Sequence, residues 1–383
     1  MHAAPGNPGI ALLGTCHPVH GEDAEGLLDL SRSLDIDLVV VGPEGPLVEG
    51  LGDLLRHAGI AVFGPGAEAA RIEGSKAFAK EVMAAAGVQT ASTLDKPAAP
   101  CVVKADGLAA GKGVVVCRTD DELAAGLALV GALGGDLLVE ELLDGPEVSL
   151  LALCDGSTAV ALPPAQDFKR AFDGDTGPNT GGMGSYAPVP GLDGADVEEL
   201  LELVHRPVLT ELARRGSPFV GTLYAGLMLT AAGPRVLEFN CRFGDPETQS
   251  LLPLLGGDLL EALAAATAGE LAGSVLAATA SAAVTVVLAA GEYPLADDKG
   301  IPITGIEAAE RTGALVFHAG TALAGGRVVA NGGRVLGVTA TGDTVAVARE
   351  AAYAAADLVS WQGCRRRDDI ALAAAGGALV RIR

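Results

Sequence analysis

Glu238 and Asn240 stand two residues apart in the stretch Arg235 to Gln249, RVLEFNCRFGDPETQ. In a strand, a period of two sends both side chains out of one face, and Cys241 out of the other. An acid beside an amide offers oxygen ligands to a hard cation. Mg²⁺ takes few protein ligands because phosphates and water complete its shell. A lone E-x-N is most often a solvated strand face. Here Arg242 returns positive charge at once and a Gly-Asp-Pro-Glu-Thr run follows, which favours a metal pair.

A second block, Lys104 to Gly113, reads KADGLAAGKG. Its glycines free backbone N–H groups to turn toward an anion, and Lys104 and Lys112 supply charge. It is a phosphate-loop candidate but not a P-loop, since no G-x-x-x-x-G-K-[ST] occurs. Glu140, Glu141, Leu143 and Glu147 could surround an adenosine, with strand-end backbone reading the base and a carboxylate on the ribose; alone, they read as an ordinary acidic turn. Gln166 to Arg170 leads into GDTGPNTGGMG at 174–184, a backbone-rich loop suited to clamping a small polar substrate. None of the six histidines falls into H-x-x-x-H or H-E-x-x-H, and no Ser-His-Asp arrangement is supported.

These residues need elements to place them. Ala24 to Leu34 and Leu47 to Ala58 carry helical apolar stripes, while Asp37 to Val41 and Ile60 to Phe63 are short apolar strands. The pattern is a doubly wound α/β unit, with Gly42 to Pro46 as a loop at a strand's carboxyl end, where such sheets bind ligands. The chain opens at Met1 already in a loop. Beyond Glu73, a helix ends at Gly87, Cys101 to Ala105 and Gly113 to Cys117 flank the glycine loop, and Thr119-x-x-Glu122 is a capping box. Leu137 to Glu141 is a strand, Glu147 to Cys154 pairs with Thr158 to Leu162, and Thr222 to Thr230 pairs with Arg235 to Asn240. The last hundred residues give short Val/Ala-rich strands, a Gly-rich turn at Asn331 to Arg334 and a helix from Asp343 to Leu358.

At 383 residues the chain exceeds one ordinary core. A formal charge of −22 with no basic face excludes a general nucleic-acid binder, so any anionic substrate must meet local cations. Six scattered cysteines without a C-x-x-C argue for reduced thiols in a cytoplasm. No signal-peptide pattern is present, and Leu271 to Gly291 reads as loop plus the buried strand Ala282 to Ala289 rather than a membrane span.

Taken together, GPEGPL at 42–47, EGSKAF at 73–78, KADGLAAGKGVVV at 104–116, GDTGPNTGGMGSY at 174–186, LYAGLML at 223–229, LEFNCRFGDPETQ at 237–249 and GGRVLGVT at 332–339 resemble the phosphoribosylamine–glycine ligase family of ATP-grasp enzymes. The resemblance runs through essentially the whole chain in order. It implies an N-terminal doubly wound α/β domain (1–72, incomplete), a central α+β ATP-grasp unit (73–278) and a C-terminal α/β domain (279–383). It implies that ATP, glycine and 5-phosphoribosylamine give glycinamide ribonucleotide, ADP and phosphate through glycyl phosphate, a step of purine biosynthesis. By the same resemblance Glu238 and Asn240 hold Mg²⁺ or Mn²⁺. Lys76, Lys104, Gly111, Lys112, Gly113, Glu140, Glu141, Leu143 and Glu147 bind ATP, with Gly111 to Gly113 in a mobile lid. Arg242 and Lys104 act in catalysis, and Glu44, Asp175, Asn179, Gly181, Asp245 and Arg334 bind the other substrates. A cytoplasmic monomer without nucleic-acid or membrane partners is expected.

Three departures stand out. Phe168 occupies a position where the family often has His, so no base is assigned there. Phe172 replaces a small residue. The family's opening strand and its Gly-Ser-Gly-Gly-Arg-Glu-His type of turn are missing, from which a start misassigned downstream is expected, with weakened phosphoribosylamine binding and an exposed strand edge. The rival readings are a shortened nucleotide-binding paralogue without turnover and another ATP-grasp carboxylate–amine ligase or carboxylase.

Overall fold

A computed structural model describes residues 1–108, 113–273, 276–279 and 281–382. In its first part the strands Leu38–Val40 and Ala61–Phe63 pair in parallel, flanked by the helix Ala24–Ser33, in keeping with an α/β unit. Two local expectations are corrected. His2–Ala3 is not loop but a short strand parallel to Thr15–Cys16. The single helix expected from Leu47 to Ala58 is two helices, Glu44–Val48 and Leu51–His57, because Gly50 between them adopts φ +94, a left-handed conformation that breaks the helical ladder. Glu44 thus opens a helix rather than lying in a loop.

The helix Lys76–Ala86 is bounded as its sequence demands. The Ser75 side chain accepts from the Phe78 N–H, and Gly87 at φ +72 caps the end. Cys101–Ala105 pairs antiparallel with both Val114–Cys117 and Leu137–Glu141, so the glycine-rich stretch connects two neighbouring strands. The helix Asp120–Gly131, with both bonds of the Thr119/Glu122 capping box, covers this sheet. Their shared small core is Cys101, Val103, Ala105, Cys117, Leu123, Val130 and Val139.

A four-stranded antiparallel sheet runs Gly233–Asn240, Val220–Thr230, Glu147–Asp155, Ala159–Ala161. From Val148 to Asp155 every residue is buried, which explains the unbroken apolar run. Behind it lies a helical run from Gly194 to Arg214 whose middle, Leu201–His205, widens into a π turn before Pro207. Such a turn relieves the carbonyl that proline cannot serve.

The third layer is a five-stranded sheet in the order Gln166–Asp167, Gly184–Ala187, Ala282–Ala289, Arg334–Gly342, Leu315–His318. Ala282–Ala289 is buried throughout, and its Thr285 hydroxyl meets that of Thr339 at 2.8 Å, so neither is left unpaired in the core. This sheet draws its first two strands from ahead of residue 279 and the rest from beyond it, locking the C-terminal segment onto the central one. Among the described residues no helix is long and apolar enough to cross a membrane.

Candidate active site

The Gly233–Asn240 strand puts Glu238 opposite Gly226 and Asn240 opposite Tyr224, with buried Phe239 between them, so the two polar side chains share a face. Three ammonium groups from separate segments bear on Glu238. Lys169 Nζ is 3.4 Å from its Oε1. Lys104 donates to the carbonyl of the preceding Leu237 at 3.0 Å. Lys169, then Lys104 and Lys76, hold the Glu238 carboxyl below its usual range against the opposing push of burial.

Lys104 is itself buried and fixed. Its ammonium lies 2.6 Å from Glu140 Oε2, while Lys80 lies 2.6 Å from Glu140 Oε1. Glu140 therefore neutralises two lysines instead of turning outward toward a ribose. The neighbouring Glu141 accepts from the Ser92 N–H at 2.8 Å, which with the Ser92 hydrogen bonding keeps its pKa low. Leu143 is half-buried in the loop that follows.

The glycine-rich stretch is anchored at its base. Asp106 Oδ1 accepts from the Lys76 N–H at 2.5 Å and its Oδ2 from Ser75 Oγ at 3.2 Å, while Lys76 Nζ donates to the Gly107 carbonyl at 3.0 Å. Burial lowers the Lys76 pKa, with Glu238 opposing. The Gly113 carbonyl accepts from the Ala105 N–H at 2.8 Å. Gly111 and Lys112 lie outside the described residues.

Arg242 is gripped by two acids, with Nε 3.1 Å from Glu44 and Nη2 3.3 Å from Glu73. Burial would lower the guanidinium pKa, but Glu73 and Glu44 outweigh it and raise it. Glu73 also accepts from the Cys241 N–H at 2.7 Å. Hydrogen bonding assigns the Asn240 amide with its nitrogen toward Glu73 Oε1 and the Phe239 carbonyl, both at 3.1 Å. Burial pushes the Cys241 thiol up, so it stays a thiol.

Asp245, Arg334 and Gly181 meet in a third group. Arg334 Nη2 is 3.0 Å from Asp245 Oδ2, and Nη1 donates to the Gly181 carbonyl at 2.6 Å. Tyr293 Oη accepts from the Gly181 N–H at 3.0 Å. Asn179 reaches the end of the glycine-rich stretch, donating to the Val114 carbonyl at 3.2 Å. Asp175 lies apart from these, exposed and 3.1 Å from the buried Arg367. Gly177 is required in the same loop: at φ +81, a Cβ there would fall 2.3 Å from the Phe172 ring.

Several residues escaped the sequence reading. Glu73 and Glu247 sit inside the EGSKAF and RFGDPETQ blocks, yet nothing local marks them. Glu247 is buried and accepts from Ser149 Oγ at 2.9 Å, and Ser149 meets Tyr224 Oη at 2.9 Å. Lys169 bridges Glu147 and Glu238.

The Glu238/Asn240 pair fits a divalent ion that takes the rest of its shell elsewhere. Both donors present oxygen from one strand face. Among the described residues no group of three or more His, Cys, Asp or Glu side chains would hold a metal alone. A nucleotide's phosphates and water are the natural complement to two ligands.

Residues 1–73 match the phosphoribosylglycinamide synthetase N domain, 74–248 its ATP-grasp (A) domain and 283–373 its C domain. The chain is 51% identical to the phosphoribosylamine–glycine ligase of Streptomyces coelicolor, covering 98% of this chain and 93% of that one. It is 49% identical to the Corynebacterium ammoniagenes enzyme of the same name, covering 99% and 93%. The crystal structure of the Thermotoga maritima phosphoribosylamine–glycine ligase superposes with a TM-score of 0.82 at 36% identity, covering 96% of this chain and 93% of that one. A biotin carboxylase domain from Hydrogenobacter thermophilus, at 19% identity and a TM-score of 0.66, shares the fold.

Proposed function

The chain belongs to the phosphoribosylglycinamide synthetase family, and we propose that it joins glycine to 5-phosphoribosylamine at the expense of ATP, using the residues gathered around Glu238. The product is glycinamide ribonucleotide, with ADP and phosphate released. A carboxylate resists attack by an amine until one of its oxygens becomes a leaving group. The glycine carboxylate therefore attacks the γ-phosphoryl to give glycyl phosphate. The amine of phosphoribosylamine then adds to the acyl carbon and expels phosphate.

In such a reaction the protein mostly positions reactants and stabilises charge. Lys104 spends two N–H groups on Glu140 and Leu237, which aims the third at the nucleotide phosphates. Lys76 supports the base of the glycine-rich stretch beside them. Arg242, locked by Glu44 and Glu73, presents its remaining N–H groups to the reacting carboxylate and the acyl phosphate. Glu238 and Asn240 would hold Mg²⁺ or Mn²⁺, which neutralises charge on the phosphates when bound. Asp245, Arg334, Gly181 and Asn179 form the wall for glycine and the ribosylamine, and Glu141, Leu143 and Glu147 border the adenosine. The reading includes a cytoplasmic monomer, and the six free cysteines accord with a reducing compartment.

One observation carries this reading: Lys169 meets the Glu238 carboxylate of the E-x-N strand while Lys104 donates to the Leu237 carbonyl of the same strand. The test is ADP release with each substrate omitted in turn. Release that needs glycine and phosphoribosylamine together supports it. Turnover indifferent to glycine, or surviving Glu238→Gln unchanged, sinks it.

A further inference from the structure

No step of the reaction just described is assigned to Lys169, yet its surroundings are built. Its carbonyl accepts from the Thr180 N–H at 2.7 Å and from Thr180 Oγ1 at 2.9 Å. The adjoining Phe168 exchanges bonds with Gly184 at 3.0 Å and Met183 at 2.7 Å. With its backbone pinned on both sides, the half-buried side chain carries its ammonium between two carboxylates from different strands, Glu147 and Glu238. Asp167 lies in the same region, where burial and the neighbouring acids push its carboxyl up against the pull of Lys169.

Two carboxylates from different strands on one ammonium form a cation-seeking site, and Lys169 supplies the cation. A divalent ion on Glu238 would compete with the ammonium for the same oxygen, and the two positive charges would repel. Bound phosphates offer the displaced ammonium new acceptors. Lysine suits such an exchange, since it is a compact charge with three donors on a flexible stem, whereas arginine is a rigid fork.

Resting on the assignment of Glu147 to the nucleotide and Glu238 to the metal, we propose that Lys169 is an exchangeable counter-ion: it neutralises Glu147 and Glu238 until metal and nucleotide claim them, then binds the nucleotide's phosphates. It thereby couples the adenosine side of the site to the metal side. Metal alone binds poorly because it must evict the ammonium, and nucleotide makes that eviction favourable.

The test measures binding, not turnover. Mn²⁺ alone is titrated into the full chain by electron paramagnetic resonance, and ADP with Mn²⁺ by calorimetry, for wild type, Lys169→Met and Lys169→Arg. Lys169→Met is expected to bind Mn²⁺ alone roughly tenfold more tightly and ADP with Mn²⁺ roughly tenfold more weakly, opposite signs that general damage to the site would not produce. Lys169→Arg, which grips both carboxylates harder, should bind Mn²⁺ alone more weakly than wild type; this variant carries the test if Lys169→Met does not fold. Binding of Mn²⁺ alone that is unchanged or weaker in Lys169→Met overturns the inference, as does unchanged Mn²⁺ binding in Lys169→Arg. Glu238→Gln separates the two layers. If it leaves Mn²⁺ binding intact, the metal assignment itself falls and the inference with it. If it abolishes binding while Lys169→Met behaves as wild type, the counter-ion role alone is lost.

Discussion

The Asn240 amide nitrogen lies 3.1 Å from Glu73 Oε1, which fixes which limb of that amide is oxygen and which is nitrogen. Such outer partners decide whether a ligand's lone pair faces the metal. Glu73→Gln exchanges one acceptor oxygen for a donor and weakens the hold on the Asn240 amide, so metal affinity should fall by roughly 10–100-fold. The apparent KM for Mg²⁺ should rise while kcat at saturating metal stays within a few-fold. An unchanged metal dependence would show that Glu73 serves only Arg242 and the Cys241 N–H.

Glu140 is nearly inaccessible and is the shared partner of Lys80 and Lys104. Removing one member of a buried ion cluster strands the others. Glu140→Ala should destabilise the chain by about 3–5 kcal/mol. Lys104→Met should cost less stability but most of the activity. Urea unfolding of the two variants beside a nucleotide-binding assay distinguishes these roles, and a fully stable Glu140→Ala would refute the structural one.

His205 gives a pH dependence of definite sign. Burial lowers its pKa from 6.5 to about 4. Its Nε2 lies 3.2 Å from the Leu150 carbonyl, and among the described residues its Nδ1 has no hydrogen-bond partner, so a second proton would find no acceptor there. Between those two values the unfolded chain binds the proton and the folded one does not, so stability falls as pH drops below about 6.5. At pH 5 this amounts to about 2 kcal/mol. Urea midpoints at pH 7.5 and 5 should separate wild type from His205→Leu, which lacks this component. Equal losses in both would refute it.

The elements legible from sequence were those with local signals. The Ser75 and Gly87 ends of one helix, the Thr119 capping box and the two hairpins each depend on residues within a few positions of each other. The helical run from Gly194 to Arg214 was not anticipated, because Pro207 reads as a breaker and the π turn that accommodates it is not written in any short pattern. Gly50 hid a break inside an apparently continuous stripe. At the site, Glu238, Asn240 and Arg242 announced themselves by spacing. Lys169, Glu73 and Glu247 did not, because the contacts that define them join segments distant in sequence. Glu140 had a recognisable address on a strand, but its partner Lys80 lies on the helix Lys76–Ala86, so its neutralising role was invisible.

Asp175 offers the sharpest division between binding and scaffolding. The resemblance implies that it binds the glycine or the amine substrate, yet its backbone sits at φ +57 in a loop facing solvent and its carboxylate lies 3.1 Å from Arg367. Arg367 is buried and is held more firmly by Asp369, with Nε–Oδ1 at 2.7 Å and Nη2–Oδ2 at 2.8 Å, and it donates to the Arg170 carbonyl at 3.0 Å. The bidentate pair holds the guanidinium in place, and its bond to Arg170 ties the C-terminal segment to the loop next to Lys169. Asp175→Ala should lose only about 0–1 kcal/mol, because its ion pair is largely solvated. Asp369→Ala should lose about 3 kcal/mol, since it strips a buried guanidinium of its main partner. Neither should move the KM for glycine more than about twofold if the contacts seen here persist during turnover, as that shift corresponds to less than 1 kcal/mol. A tenfold rise in that KM for Asp175→Ala, with its thermal midpoint unchanged, would mean that the loop leaves Arg367 to meet the substrate, and the sequence expectation would then be the better guide to this residue.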